Sequence, residues 1–139
     1  MNPAEPIEAC FSAQTSAKQS DLRALHRLIL ELSPGCQLWF VDGRDETGKV
    51  VSNPNIGYGL RTLTYADGST KPFYRVGTSP NTTGISVYIL GIDDRTYLPN
   101  TYGKTIGKAT VTGYCIKFKA LKDINLDVLK DALQYGLEV

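Results

Sequence analysis

Apolar residues recur at three- and four-residue intervals between Ser16 and Leu32, where Leu22, Leu25, Leu28, Ile29 and Leu32 share one face. That spacing predicts an amphipathic helix with Lys18, Gln19, Arg23 and Arg27 on its polar side. Ser33-Pro34-Gly35 stops it. A second stripe of Leu126, Leu129, Ala132 and Leu133 predicts a C-terminal helix, capped by Asp123 or Asn125 and ended by Gly136. Between them the pattern shortens to β-prone runs. Gln37 to Val41, Ile56 to Tyr65, Phe73 to Gly77, Ile85 to Leu90 and Thr112 to Lys119 read as strands, and part of Asp42 to Asn55 is expected to pair through the short, β-prone Lys49-Val50-Val51. Ala66-Asp67-Gly68-Ser69 supplies a tight hairpin turn, and Pro72 starts the returning strand. Asp93 to Tyr102 is read as a short helix. Residues 1–13, with Pro3 and Pro6 and no period, are expected to form a flexible arm ahead of a single domain over 14–139.

A helix, a run of strands and a closing helix form an α+β order. The expected architecture has two layers: an antiparallel twisted sheet of about five to six strands, with the N- and C-terminal helices packed on it.

Composition narrows the function classes. The 139 residues are 42% apolar and 21% charged, as in a globular domain. Fifteen basic and 14 acidic residues leave a net charge of +1, too little for a global field that draws nucleic acid or an anionic membrane. No apolar run reaches the length of a membrane span. The first residues lack a basic segment followed by an apolar one, so no secretory signal is read and a cytoplasmic location is expected. Cys10, Cys36 and Cys115 are widely spaced and have no C-x-x-C, and are taken as reduced thiols; Asn81-Thr82-Thr83 is then an unused sequon.

Two glycine motifs fail as nucleotide sites. Gly103-Lys104-Thr105-Ile106-Gly107-Lys108-Ala109 has three residues between its glycines where a P-loop has four, and Ala109 stands where a magnesium-binding hydroxyl is needed. Gly57-Tyr58-Gly59 places Thr62 at the third glycine of a dinucleotide fingerprint and runs into a strand. No cofactor is implied. The lone His26 flanks the first helix's stripe and reads as a structural histidine.

The segment from Lys104 to Lys122 holds Lys104, Lys108, Lys117, Lys119 and Lys122 and no acid. If strand and turn converge, its ammonium groups would hold a phosphate or carboxylate; otherwise the strand lysines are a solvated face. Cys115 faces outward with Lys117 if the alternation holds, and the ammonium would then activate its thiol; a bulge would bury it. Tyr58, Tyr65, Tyr74, Tyr88, Tyr97, Tyr102 and Tyr114 crowd the strand-rich half and either line a small pocket or fill core and edge. Asp123, Asp127 and Asp131, at four-residue spacing, would form an acidic ridge that attracts a hard cation, unless they only complement the helix dipole.

Ile56-Gly57-Tyr58-Gly59, Tyr65-Ala66-Asp67-Gly68, Val76-Gly77, Ser79-Pro80, Ser86-Val87-Tyr88-Ile89, Tyr102-Gly103-Lys104, Gly107-Lys108, Tyr114-Cys115-Ile116-Lys117 and Leu121-Lys122-Asp123-Ile124 occur in one order. As an ordered set, from about Asp21 to Leu133, they resemble the YdhG-like family of bacterial domains. The resemblance implies a compact α+β domain, and one branch is described as frataxin-like iron chaperones feeding iron–sulfur assembly. The chain departs from the family pattern at Asn81-Thr82, where Arg-Lys is frequent. It departs again over Ala109-Thr110-Val111-Thr112-Gly113, where a His-Lys-Thr-Gly-Lys run is frequent. The first helix is basic on its polar side, with only Asp21 and Glu31 as hard ligands.

The leading expectation is a non-enzymatic binding module for a small anionic ligand or a protein partner, using Tyr58, Ser79, Tyr88, Lys104, Lys108, Tyr114, Cys115 and Lys117. The alternatives are an iron chaperone or metal-delivery protein using Asp123, Asp127 and Asp131, and a thiol-dependent enzyme using Cys115. The edge strands of a small sheet also invite homodimer pairing.

Overall fold

The computed structural model describes residues 3–138. Six strands form one antiparallel sheet: β1 (Leu38–Val41), β2 (Asn55–Tyr58), β5 (Val76–Pro80), β6 (Ile85–Ile89), β8 (Cys115–Phe118) and β7 (Ala109–Val111), in that spatial order. Two further strands, β3 (Arg61–Thr64) and β4 (Thr70–Phe73), pair only with each other. The helices are α1 (Ala4–Ser12), α2 (Ser16–Leu32), α3 (Tyr97–Tyr102) and α4 (Leu126–Glu138). No described helix is long and apolar enough to cross a membrane.

The α+β order expected from the pattern is present, with N- and C-terminal helices on the sheet. α2 has the predicted limits. Its Thr15 hydroxyl accepts from the Lys18 N–H at 3.3 Å, and Leu22, Leu25 and Ile29 are its buried residues. Asn125 caps α4, its side-chain oxygen accepting from Asp127 and Val128 N–H at 3.1 and 3.3 Å. Leu129, Ala132 and Leu133 are fully buried. These stripes meet Ile56, Tyr58, Val76, Val87, Ile89, Ile116 and Phe118 on the inner sheet face, and together they form the core.

Three expectations need correction. The first residues are not a loose arm: Ala4–Ser12 is helical, and Ile7, Cys10 and Phe11 are buried at helical spacing. Pro3 and Pro6 do not prevent this, because the first turn has no amide partners to lose. Met1 and Asn2 lie outside the described residues. Arg23 clamps the helix from α2, donating to both Glu8 carboxylate oxygens at 2.7 and 2.8 Å, and its guanidinium lies 5.4 Å from the Phe11 ring centre. Second, the segment 56–65 is not one strand. Gly59, at φ +87°, breaks it, and the outer half turns away as the β3–β4 blade. The blade's tip is the expected Asp67-Gly68 turn, where the Ser69 N–H and hydroxyl donate to the Asp67 carboxylate. Pro72 lies within β4 opposite Thr62. Third, Gly136 does not end α4. The helix runs through it, and a Cβ there would lie 2.7 Å from Ile89 and 2.9 Å from Val76, so the glycine sets how closely helix and sheet approach. β7 was not anticipated. Val50 pairs only locally, with Arg44.

Candidate anion-binding site

Side chains alternate across a strand, so the pairing register assigns each residue to a face. The face opposite the helices carries Trp39, Gly57, Gly77, Tyr88 and Cys115 in one cross-strand row. Ser79, Ser86, Lys117 and Thr110 form the next. The face is therefore aromatic toward one end and cationic toward the other.

At the cationic end, Lys108, Lys117 and Lys119 border a depression of about 440 Å³, completed by Thr83, Ala109, Thr110 and Phe118. None of these residues is acidic. All three lysines are exposed and lie at alternate positions of β7 and β8 or just beyond their ends. A second depression of about 610 Å³ shares Thr83 and Lys119 and adds Lys18 and Lys122, with Asp21 and Asp123. Two of its charged groups are occupied: Lys18 Nζ donates to Asn81 O at 2.6 Å, and Asp21 accepts from the Leu121 N–H at 3.1 Å.

Of the residues singled out from sequence, Lys108 and Lys117 meet here. Lys119, part of the lysine-rich segment but not of the chosen set, joins them; its alternation with Lys117 was the available signal. Lys104 does not join. It sits in the turn after α3, and none of the residues bordering the depression is Lys104. That turn is no phosphate cradle either. The N–H groups of Thr105 and Ile106 donate to Tyr102 O, Lys108 to Asp123 O and Ala109 to Gly107 O, so these amides are already used.

Tyr58 lies on the other face, fully buried, with its hydroxyl 2.7 Å from His26 Nδ1. Burial pushes the phenol far above its ordinary value and holds the imidazole below its own. The pair is a satisfied core contact. Thr78, on the same face, is buried and its hydroxyl has no hydrogen-bond partner among the described residues. Ser79 is buried and donates to Pro54 O at 2.7 Å, which pins the strand end.

Cys115 shares the Lys117 face as the alternation required, but it is 2% exposed. Burial raises its thiol above the ordinary value, outweighing the lowering by Lys117 and by a Ser86 hydrogen bond. An activated thiolate is therefore corrected to a protonated, covered one.

The aromatic end is partly core and partly surface. Tyr74 lies against the faces of Gly57 and Gly77, and burial pushes its phenol up to about 12. Its ring centre is 4.2 Å from that of Phe73, which is 6.1 Å from Trp39. Tyr88 and the exposed Tyr114 stack nearly parallel at 6.2 Å.

The expected acidic ridge is not continuous. α4 begins at Leu126, so Asp123 belongs to the preceding 3₁₀ turn and faces the Lys18–Lys122 depression. Asp127 and Asp131 border a different one, where Asp131 accepts from the Tyr102 hydroxyl at 3.0 Å. Among the described residues no three His, Cys, Asp or Glu side chains are grouped to hold a metal.

Comparison of the chain with protein-family models, with curated proteins and with solved structures finds no match.

Proposed function

We propose that this chain, read as a YdhG-like α+β domain, is a binding module without catalytic chemistry. Its ligand is a small phosphate- or carboxylate-bearing molecule held between Lys108, Lys117 and Lys119. One observation carries the reading: three ammonium groups from β7, β8 and their flanks border one depression that contains no carboxylate. Each ammonium offers three donors and a full charge, so an anion there collects charge-assisted bonds. Thr83 and Thr110 add hydroxyls beside them. The site is open to solvent, which makes the affinity modest and dependent on salt.

The thiol-enzyme reading loses support from the burial of Cys115, and the metal-delivery reading from the separation of Asp123 from Asp127 and Asp131.

The test is a thermal-shift and calorimetric screen with inorganic phosphate, phosphorylated metabolites and small dicarboxylates at constant ionic strength. A selective rise in Tm that is lost in Lys108→Ala/Lys117→Ala, and kept in Lys104→Ala, is the expected result. A rise that survives the double substitution, or no rise with any anion, would overturn the proposal.

A further inference from the structure

The two ends of the six-stranded sheet are built differently. The β7 edge is three residues long, is flanked by Lys108, and continues into Gly107, which bridges to Ile124. Short length, a lysine and a covering bridge are the usual devices against strand addition. The β1 edge, four residues long, has neither a lysine nor a covering bridge among the described residues. Leu38-Trp39-Phe40-Val41 is uncharged, lacks proline and pairs with β2 without a bulge. Among the described residues no strand pairs with its other side.

The hydrogen-bond phase shows what that side offers. The Gly59 N–H donates to Gln37 O at 2.8 Å, so residues 37 and 59 are a bonded pair. Bonded and non-bonded pairs alternate along an antiparallel ladder. Trp39 and Val41 therefore address β2, and the N–H and C=O groups of Leu38 and Phe40 point away from the sheet. Beside them runs a depression of about 610 Å³, bordered by Pro3, Pro6, Asp42 and the four residues of β1. The free edge thus combines unpaired backbone groups with an apolar trough.

We propose that β1 is a self-association edge, and that its occupant is β1 of a second copy of this chain, antiparallel about a two-fold axis through Trp39. This goes beyond the anion-binding reading and uses a different end of the sheet. The register follows from two requirements. Directly opposed residues must share a face, which demands that a residue lie on the axis or that even offsets be kept. The outward groups of Leu38 and Phe40 must also meet each other. Centring on Trp39 satisfies both: Leu38 bonds Phe40 of the second copy, twice by symmetry, and the two Trp39 side chains face one another as a non-bonded pair. Every opposed position from Leu38 to Phe40 is then apolar against apolar. A foreign peptide would find no charged pocket along this edge except at Asp42, whereas the strand is complementary to itself. Four backbone bonds and a short apolar strip make a small interface, so the dimer is a weak one.

Sedimentation velocity over a concentration series tests this on the whole chain. The expected result is a reversible shift from the 15.2 kDa species toward twice that mass. Val41→Lys, at a residue already 36% exposed on the outer face, raises Kd at least about tenfold. Leu126→Lys, at an exposed apolar residue at the start of α4, leaves Kd unchanged. Hydrogen exchange supplies a readout that needs no variant: the amides of Leu38 and Phe40 gain protection as concentration rises. A chain that stays monomeric at the highest concentration, a dimer indifferent to Val41→Lys or equally sensitive to Leu126→Lys, or outward amides that exchange freely in the dimer would each overturn the proposal.

Discussion

Gly57 and Gly77 face each other across β2 and β5, and Tyr74 lies over both. The contacts differ in kind. A Cβ at Gly77 would meet the far end of the ring, Cε1 at 2.7 Å and the hydroxyl at 3.1 Å. A Cβ at Gly57 would meet Tyr74 Cβ at 2.6 Å, and ring Cγ and Cδ2 closer still. A ring tip can swing aside, but a Cβ is fixed by the backbone, so no rotamer of Tyr74 relieves Gly57→Ala. Accommodating it expels a tyrosine that is 5% exposed and separates it from Phe73. Lost burial is worth about 1.5–3 kcal/mol and the ring pair about 0.5–1.5. Alanine returns about 0.5–1 kcal/mol over glycine in a strand. Gly57→Ala should therefore cost about 1–4 kcal/mol, and Gly77→Ala about half as much. Urea denaturation at equilibrium measures both, and a double-mutant cycle isolates the cause. With Tyr74→Gly already in place, which removes the Cβ as well as the ring, adding Gly57→Ala should cost almost nothing. Full additivity of the two substitutions, or a Gly57→Ala variant as stable as the parent, would refute the reasoning.

Phe11→Ala removes a side chain that is 2% exposed, and with it the ring under Arg23 and beside His26; a loss of about 3–5 kcal/mol in urea denaturation is expected, where a loose arm would give no change. His26 has a folded-state pKa below its ordinary value, chiefly from burial and then from Arg23. The unfolded chain therefore binds the extra proton first, and the stabilisation present above about pH 6.5 is lost as pH falls through and below that value. Tm measured from pH 8 to pH 5 should decline, with a shallower slope in His26→Gln. Buried Cys115 should react with iodoacetamide more slowly than half-buried Cys36 in native protein, and the two rates should converge in denaturant, read by peptide mass mapping.

The long helices were legible because their stripes span several turns: Leu22, Leu25 and Ile29, then Leu129, Ala132 and Leu133, are fixed by spacing alone. α1 was hidden by its prolines, although Ile7, Cys10 and Phe11 already stood at helical intervals. β7, with three residues, is too short to show a period, and its place is decided by pairing with β8. The same limit applied to the site. Alternation placed Lys117 and Lys119 on one face and put Cys115 with them, but it could not say that the thiol is buried there. Lys104 and Lys108 look equivalent in sequence. Only the turn after α3, with its amides spent on Tyr102 and Asp123, separates them. Tyr58, expected among the ligand-binding residues, lies buried on the helix side of the sheet, which pairing with β1 and β5 decides.

The β3–β4 blade leaves the main sheet at Gly59 and shares no ladder with it. Its tip, from Tyr65 to Thr70, is exposed throughout. Extra residues spliced between Asp67 and Gly68 would lengthen an appendage whose loop entropy grows only slowly with length, and would ask nothing of the residues that hold the domain together. It is the place to graft an epitope, a tag or a fluorophore on this chain while leaving both the lysine end and the β1 edge as they are.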